Sequence, residues 1–134
     1  MQYRVWADTM RHALLLAGFL AAGVTPAAAA TIENFQVSTA ADLVDLCSTD
    51  PGSEHYIAAI HFCQGFGVGA YRYYLAQTAD DPSSQYVCPP NPPPSRNEVM
   101  AAFVNWASAH PEYMNDAPVD TLFRFLGQIY PCSR

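Results

Sequence analysis

The residues able to do chemistry in this chain are few: four cysteines, four histidines, a glycine-rich stretch and one adjacent pair of aspartates. Cys47, Cys63, Cys88 and Cys132 contain no C-x-x-C pair of the kind that holds zinc or cycles redox state, and no C-x-x-C-H of haem attachment. A nucleophilic thiolate needs a free cysteine beside a base, but His61 and Cys63 stand two apart on a helical pattern and point to nearly opposite faces. No G-x-S-x-G elbow is present. His55 and His61 are not at the i,i+4 spacing of a helical metal pair, and H-E-x-x-H is absent. Gly65-Phe66-Gly67-Val68-Gly69 lacks the lysine that a phosphate-binding loop requires, and the chain has no lysine anywhere. Asp80 and Asp81 sit in turn composition, which reads as a solvated turn. The expectation is a protein that is not an enzyme and holds no metal and no cofactor.

Composition narrows the remaining classes. The 134 residues carry six cations, all arginine, against twelve carboxylates, for a net charge of −6. Only 13% of residues are charged, about half the roughly 25% of an ordinary globular protein, which argues against a disordered chain. The negative balance argues against a nucleic-acid partner, because the phosphate backbone would repel this surface.

Residues 1–30 read as a Sec signal peptide: Arg4 and Arg11, then the apolar run Ala13–Val24, then Ala28-Ala29-Ala30 as a small-residue cleavage site. The run is too short to span about 30 Å of hydrocarbon. Cleavage after Ala30 leaves residues 31–134 as the domain, with four arginines against eleven carboxylates, a net charge of −7. No other run is long enough for a membrane anchor and no cysteine follows the site for lipid attachment, so a periplasmic protein is expected. All four cysteines lie beyond the leader, and an even count in a short exported chain reads as disulfides. A domain of this size buries only about 60–70% of its unfolded surface, so two such links matter to its stability.

The elements that must position these residues are helical, giving an all-α fold class: a small disulfide-linked bundle of about four helices. Thr31–Val37 reads as a short extended arm. A first helix runs from about Thr39 to Cys47, opened by Thr39 with Asp42 in the capping-box position, and Asp50-Pro51-Gly52 breaks it. The second, Ser53 to Gln77, is apolar on most of its circumference, so neighbours should enclose it within one subunit or across a dimer. Gly65 and Gly69 place two missing side chains on one of its faces, an arrangement for close approach of another backbone. Each glycine costs about 1 kcal/mol in a helix, and leucine at either is expected to destabilise by about 1–3 kcal/mol through overlap.

Thr78–Pro94 is a linker whose prolines from Pro89 to Pro94 suit polyproline II. The third helix opens with the Ser95/Glu98 capping box, carries Val99, Phe103, Trp106 and His110 at helical spacing, and stops at Pro111. The fourth begins near Asp116 with Val119, Leu122, Phe123, Leu126, Ile129 and Tyr130 as its core stripe and Asp120–Arg124 as an i,i+4 pair. Helices three and four should form an antiparallel hairpin, which brings Cys132 beside Cys88. Of the three pairings that four cysteines allow, that favours Cys88–Cys132 with Cys47–Cys63.

Taken in order, Leu46-Cys47, the F-C-x-G-F-x-x-G of Phe62 to Gly69, Cys88-Pro89, Trp106-Ala107 with His110-Pro111-Glu112, and the closing Tyr130-Pro131-Cys132 resemble the Rap/Tai family of type VI secretion immunity proteins. The resemblance covers nearly all of residues 38–132. It implies a small helical periplasmic protein, often a homodimer, that binds and blocks a peptidoglycan amidase effector by occlusion, with no catalytic residue of its own. Two alternatives belong to other classes: a periplasmic acid-stress chaperone, whose net charge would invert as its carboxylates protonate, and a structural envelope protein. For partner binding the expected surface is the stretch Thr78–Arg96, with Asp80, Asp81 and, as aromatic anchor beside Cys88, Tyr86.

Overall fold

The computed structural model describes residues 29–133, so the expected leader lies outside the described residues apart from Ala29 and Ala30. Four helices form over that range: α1 Ala40–Cys47, α2 Tyr56–Gln77, α3 Arg96–Ser108 and α4 Pro118–Ile129. No strand occurs among the described residues; Val87 and Pro131 make an isolated antiparallel bridge.

The shortest helix is the hub. Helix α1 packs against each of the other three and buries Ala40, Leu43, Leu46 and Cys47. Thr39 closes the expected capping box with Asp42. The next orphan donors of that first turn are taken up from outside the helix: Ala40 N–H donates to the Asp116 carbonyl and Ala41 N–H to that of Met114, both at 2.9 Å. The start of α1 is thereby bonded to the α3–α4 connection. Leu43 and Cys47 join Phe103, Trp106, Leu122, Phe125 and Leu126 in the main core.

Helix α2 starts at Tyr56, three residues later than the apolar pattern suggests. Turn bonds hold the intervening residues: Gly52 N–H donates to Asp50 Oδ1 at 2.7 Å, His55 N–H to Ser53 Oγ at 3.2 Å and Tyr56 N–H to the Ser53 carbonyl at 3.1 Å. Short polar side chains compete here with the helical ladder. From Tyr56 onward the helix is unbroken through all three glycines.

Thr31–Val37 is a 3-10 turn, Glu33–Gln36, and not an extended arm. The Asn34 side chain accepts from Thr31 N–H at 2.8 Å, and Asn34 and Phe35 N–H donate to the carbonyls of Thr31 and Ile32. Phe35 then meets Phe62 edge-on at 5.6 Å. Val37 ends the turn at φ 47°, in the left-handed region, which costs a side-chain-bearing residue about 1–2 kcal/mol. Its packing against both apolar clusters offsets that strain.

On α4 the buried face is offset from the expected stripe. Thr121 and Phe125 are its fully buried residues, while Val119 and Ile129 are 44% and 46% exposed. Leu122 and Leu126 belong to either arc, so spacing alone fits both. The polar Thr121 disguised the true centre, and it is tolerated there because its hydroxyl donates to the Tyr113 carbonyl at 3.3 Å. The Asp120–Arg124 pair does not form. Arg124 instead lies over the Tyr113 ring, 4.8 Å from its centroid, and among the described residues no arginine stands within ion-pair distance of a carboxylate. Tyr113 is itself parallel to Trp106 at 5.8 Å, so the guanidinium caps a fixed aromatic stack.

Both disulfides are present in the favoured pairing. Cys47–Cys63 joins α1 to α2, and Cys88–Cys132 joins the linker to the chain end after α4. Beside the second, Cys88 N–H donates to the Tyr130 carbonyl at 2.7 Å and Cys132 N–H to that of Tyr86 at 3.3 Å. The proline run bends at Asn91 and Pro92, so it is not one continuous polyproline II segment.

Candidate functional site

Among the described residues no three His, Cys, Asp or Glu side chains converge as a metal site, and all four cysteines are oxidised, leaving no thiolate. The histidines are dispersed. His55 precedes α2 with its edge toward Phe35, His61 is exposed, and His110 stacks on Trp106 at 4.1 Å with Nδ1 2.7 Å from the Trp106 carbonyl oxygen. Nothing here assembles a nucleophile with a base.

What does assemble is an apolar surface. Ile57, His61, Gly65, Gly69 and Tyr73 form a single i+4 row along α2, apolar but for His61, and all five are exposed. A Cβ added at Gly65 or Gly69 would meet nothing within 4 Å. The close approach expected at these glycines is therefore not made by any element of the same chain. The missing side chains instead interrupt the row and open the floor of a groove of about 650 Å³. Phe66, Ala70 and Tyr73 of α2 form one wall; Val119 and Phe123 of α4 face them, with Tyr86 at the rim. Tyr73 is 67% exposed. The flank of α4 that spacing assigned to the core is thus one side of this groove.

Tyr86 is both packed and presented. Its ring meets Tyr74 edge-on at 5.3 Å and Phe123 at 6.3 Å, yet it remains 49% exposed. Gly127 makes room for it, since a Cβ there would stand 3.2 Å from the ring. The buried Tyr74 hydroxyl fixes the backbone beneath, accepting from Tyr86 N–H at 2.7 Å and Val87 N–H at 3.1 Å. Burial, then the neighbouring Tyr74 and the negative charge of Asp120, push the Tyr86 phenol above its usual range. The groove therefore has an apolar floor.

Tyr86, Gly65 and Gly69, separate features in the sequence, are brought to this one groove. Asp80 and Asp81 do not line it. Asp81 caps the 3-10 turn Pro82–Ser84 through Ser83 N–H, at 3.1 Å, and Asp80 is exposed. Sequence reasoning missed Tyr74, whose hydroxyl holds the linker, and Gly127; neither spacing nor composition marks a residue whose partner is twelve or more positions away on another element.

A family model described as Rap1a immunity proteins matches residues 39–132. No curated protein and no solved structure matches the chain.

Proposed function

The chain belongs to the Rap1a immunity protein family, and from that premise we propose that it acts in the periplasm, reached through the Sec leader cleaved after Ala30, by binding and occluding a type VI secreted peptidoglycan amidase effector. The observation that carries the reading, beyond membership, is the groove between α2 and α4 with Tyr86 fixed at its rim. Occlusion asks for a preformed surface, because ordering a loop on binding subtracts from affinity. Tyr86 meets that need: two aromatic neighbours and two hydrogen bonds to its own and the next backbone N–H hold it before any partner arrives.

The interrupted i+4 row on α2 suits a helix of the partner, since packing of i+4 rows brings backbones closest where side chains are absent. The acidic surface, net −7 over residues 31–134, suits an occupant with basic residues flanking an apolar strip. The homodimer is proposed to use exposed apolar surface outside this row, such as Ile32. Family membership favours this function over the acid-stress chaperone and the structural envelope protein.

The test is Tyr86→Ala, with circular dichroism and melting to establish that the fold survives, and binding measured to the amidase encoded alongside. A loss above about 1 kcal/mol is expected of a central aromatic anchor. Unaltered affinity moves the interface away from the groove, and failure of the unmutated protein to bind or inhibit any neighbouring hydrolase removes the amidase reading.

A further inference from the structure

Helix α2, apolar on most of its circumference, borders two hollows, and the second is a slot on its opposite side that enters the core. The slot has a volume of about 200 Å³. Its floor is made by Leu43, Phe103, Leu122 and Leu126, all buried members of the main core. Val68 and Phe66 of α2 and Val99 and Met100 of α3 form its sides, and Pro89, Pro93 and Pro94 form a lip over it. The proline run, which read as a connector, is therefore also part of a wall. Arg96 is the one charged residue that lines the slot. It is exposed, which places it at the mouth, and among the described residues no carboxylate lies within ion-pair distance of it. Gln64, Tyr71 and Tyr130 also line it, all uncharged, and the Gln64 amide is already engaged, donating to Asn97 Oδ1 at 2.9 Å.

We propose that this slot binds a small amphiphile with an unbranched apolar tail and a single anionic head, the tail filling the space between α2 and α3 and the head meeting Arg96. An apolar cavity of about 150 Å³ stays dry and takes up a benzene-sized guest, so a larger one walled by proline, leucine and phenylalanine side chains suits a hydrocarbon. At about 30 Å³ for each water-sized group, its volume holds about seven carbons. A chain carrying eleven carboxylates against four arginines over residues 31–134 repels anions in general, so the Arg96 guanidinium at the mouth of an apolar slot selects the end at which an anionic amphiphile enters. The class is that of medium-chain carboxylates, with octanoate as the probe.

The experiment is calorimetric titration of the oxidised protein with hexanoate, octanoate, decanoate and neutral octanol, each below its aggregation threshold. Each methylene transferred into the slot strengthens binding about fourfold, so octanoate should exceed hexanoate by about fifteenfold, and decanoate should gain little more because its tail outruns the space. Arg96→Gln should weaken octanoate by up to about fivefold, the worth of an exposed ion pair, and leave octanol unchanged. The Met100 methyl resonance should shift on titration while that of Met114, which does not line the slot, stays in place. That measurement needs no variant to fold. Absence of saturable octanoate binding overturns the proposal. So does affinity that climbs without limit as the tail lengthens, or a Met114 shift as large as that of Met100. Equal loss of octanol and octanoate in Arg96→Gln overturns the assignment of the head.

Discussion

Replacing Gly69 with alanine should stabilise the protein, against the expectation that spacing alone gives. In a chain whose Gly65 and Gly69 faced another backbone, any added side chain would overlap and the melting temperature would fall. The structure reverses the sign, because a Cβ at position 69 meets nothing within 4 Å while the residue sits in the interior of an unbroken 22-residue helix. Alanine is better than glycine in a helix interior by about 0.8–1.0 kcal/mol, mostly through the lower entropy of its unfolded chain, and no steric cost offsets it. For a domain of about 100 residues, 1 kcal/mol moves Tm by about 4–8 °C. Differential scanning calorimetry under non-reducing conditions reads this directly, since small disulfide-intact domains unfold in two states. Gly65→Ala should behave alike. A lower Tm for both variants would refute the reasoning and place an element against this face. Function supplies the second half of the test: Gly69→Leu should keep the fold yet weaken partner binding at least about tenfold, the scale of an overpacked contact.

Tyr74→Phe should lower stability by about 1–3 kcal/mol, because its hydroxyl is the acceptor for the Tyr86 and Val87 N–H groups and Val87 is buried; urea denaturation checks this, and an unchanged midpoint would mean that water replaces the hydroxyl. Asp45→Asn should raise Tm at neutral pH. Burial first and the charge of Asp42 second lift the Asp45 carboxyl above its usual range, so its ionised form disfavours the fold. The gain should fade as pH falls through that raised value and vanish below the ordinary carboxylate range of about 4. Asp42 and Glu98 go the other way. Burial raises Asp42, but hydrogen bonds from Asn34, Thr39 and Ser38 together outweigh it, and bonds from Ser95 lower Glu98, so their stabilisation is present above the ordinary range and is lost as pH falls through their lowered values, which acid titration of Tm should show. Mass spectrometry of the non-reduced protein should find no free thiol. In the loop-entropy model, opening the 44-residue link Cys88–Cys132 removes about 4 kcal/mol and the 16-residue link Cys47–Cys63 about 3 kcal/mol, an order that paired Cys→Ser variants test by melting.

Local chemistry was legible wherever both partners lie within a few residues. Thr39 with Asp42 and Ser95 with Glu98 signal their helix starts without help from the rest of the chain, since a capping box closes over three positions. The hairpin of α3 and α4 follows from two proline-bounded helices and a short connection, and with it the pairing of Cys88 to Cys132. Membership of the immunity family was legible for a related reason: cysteines, glycines and the aromatic residues around them recur in a recognisable order, now matched over residues 39–132. Tertiary structure decided what periodicity leaves degenerate. On α4 the choice between two arcs that share Leu122 and Leu126 rests on whether Thr121 finds a buried acceptor, and that acceptor, the Tyr113 carbonyl, belongs to another segment. Whether Arg124 pairs with Asp120 or caps Tyr113 depends on where the Trp106 stack lies. The glycines of α2 are the clearest case: a missing side chain is the same letter whether a backbone fills its place or nothing does, and only the packing of α4 and the linker around α2 left that row open, with Tyr86 set at its edge.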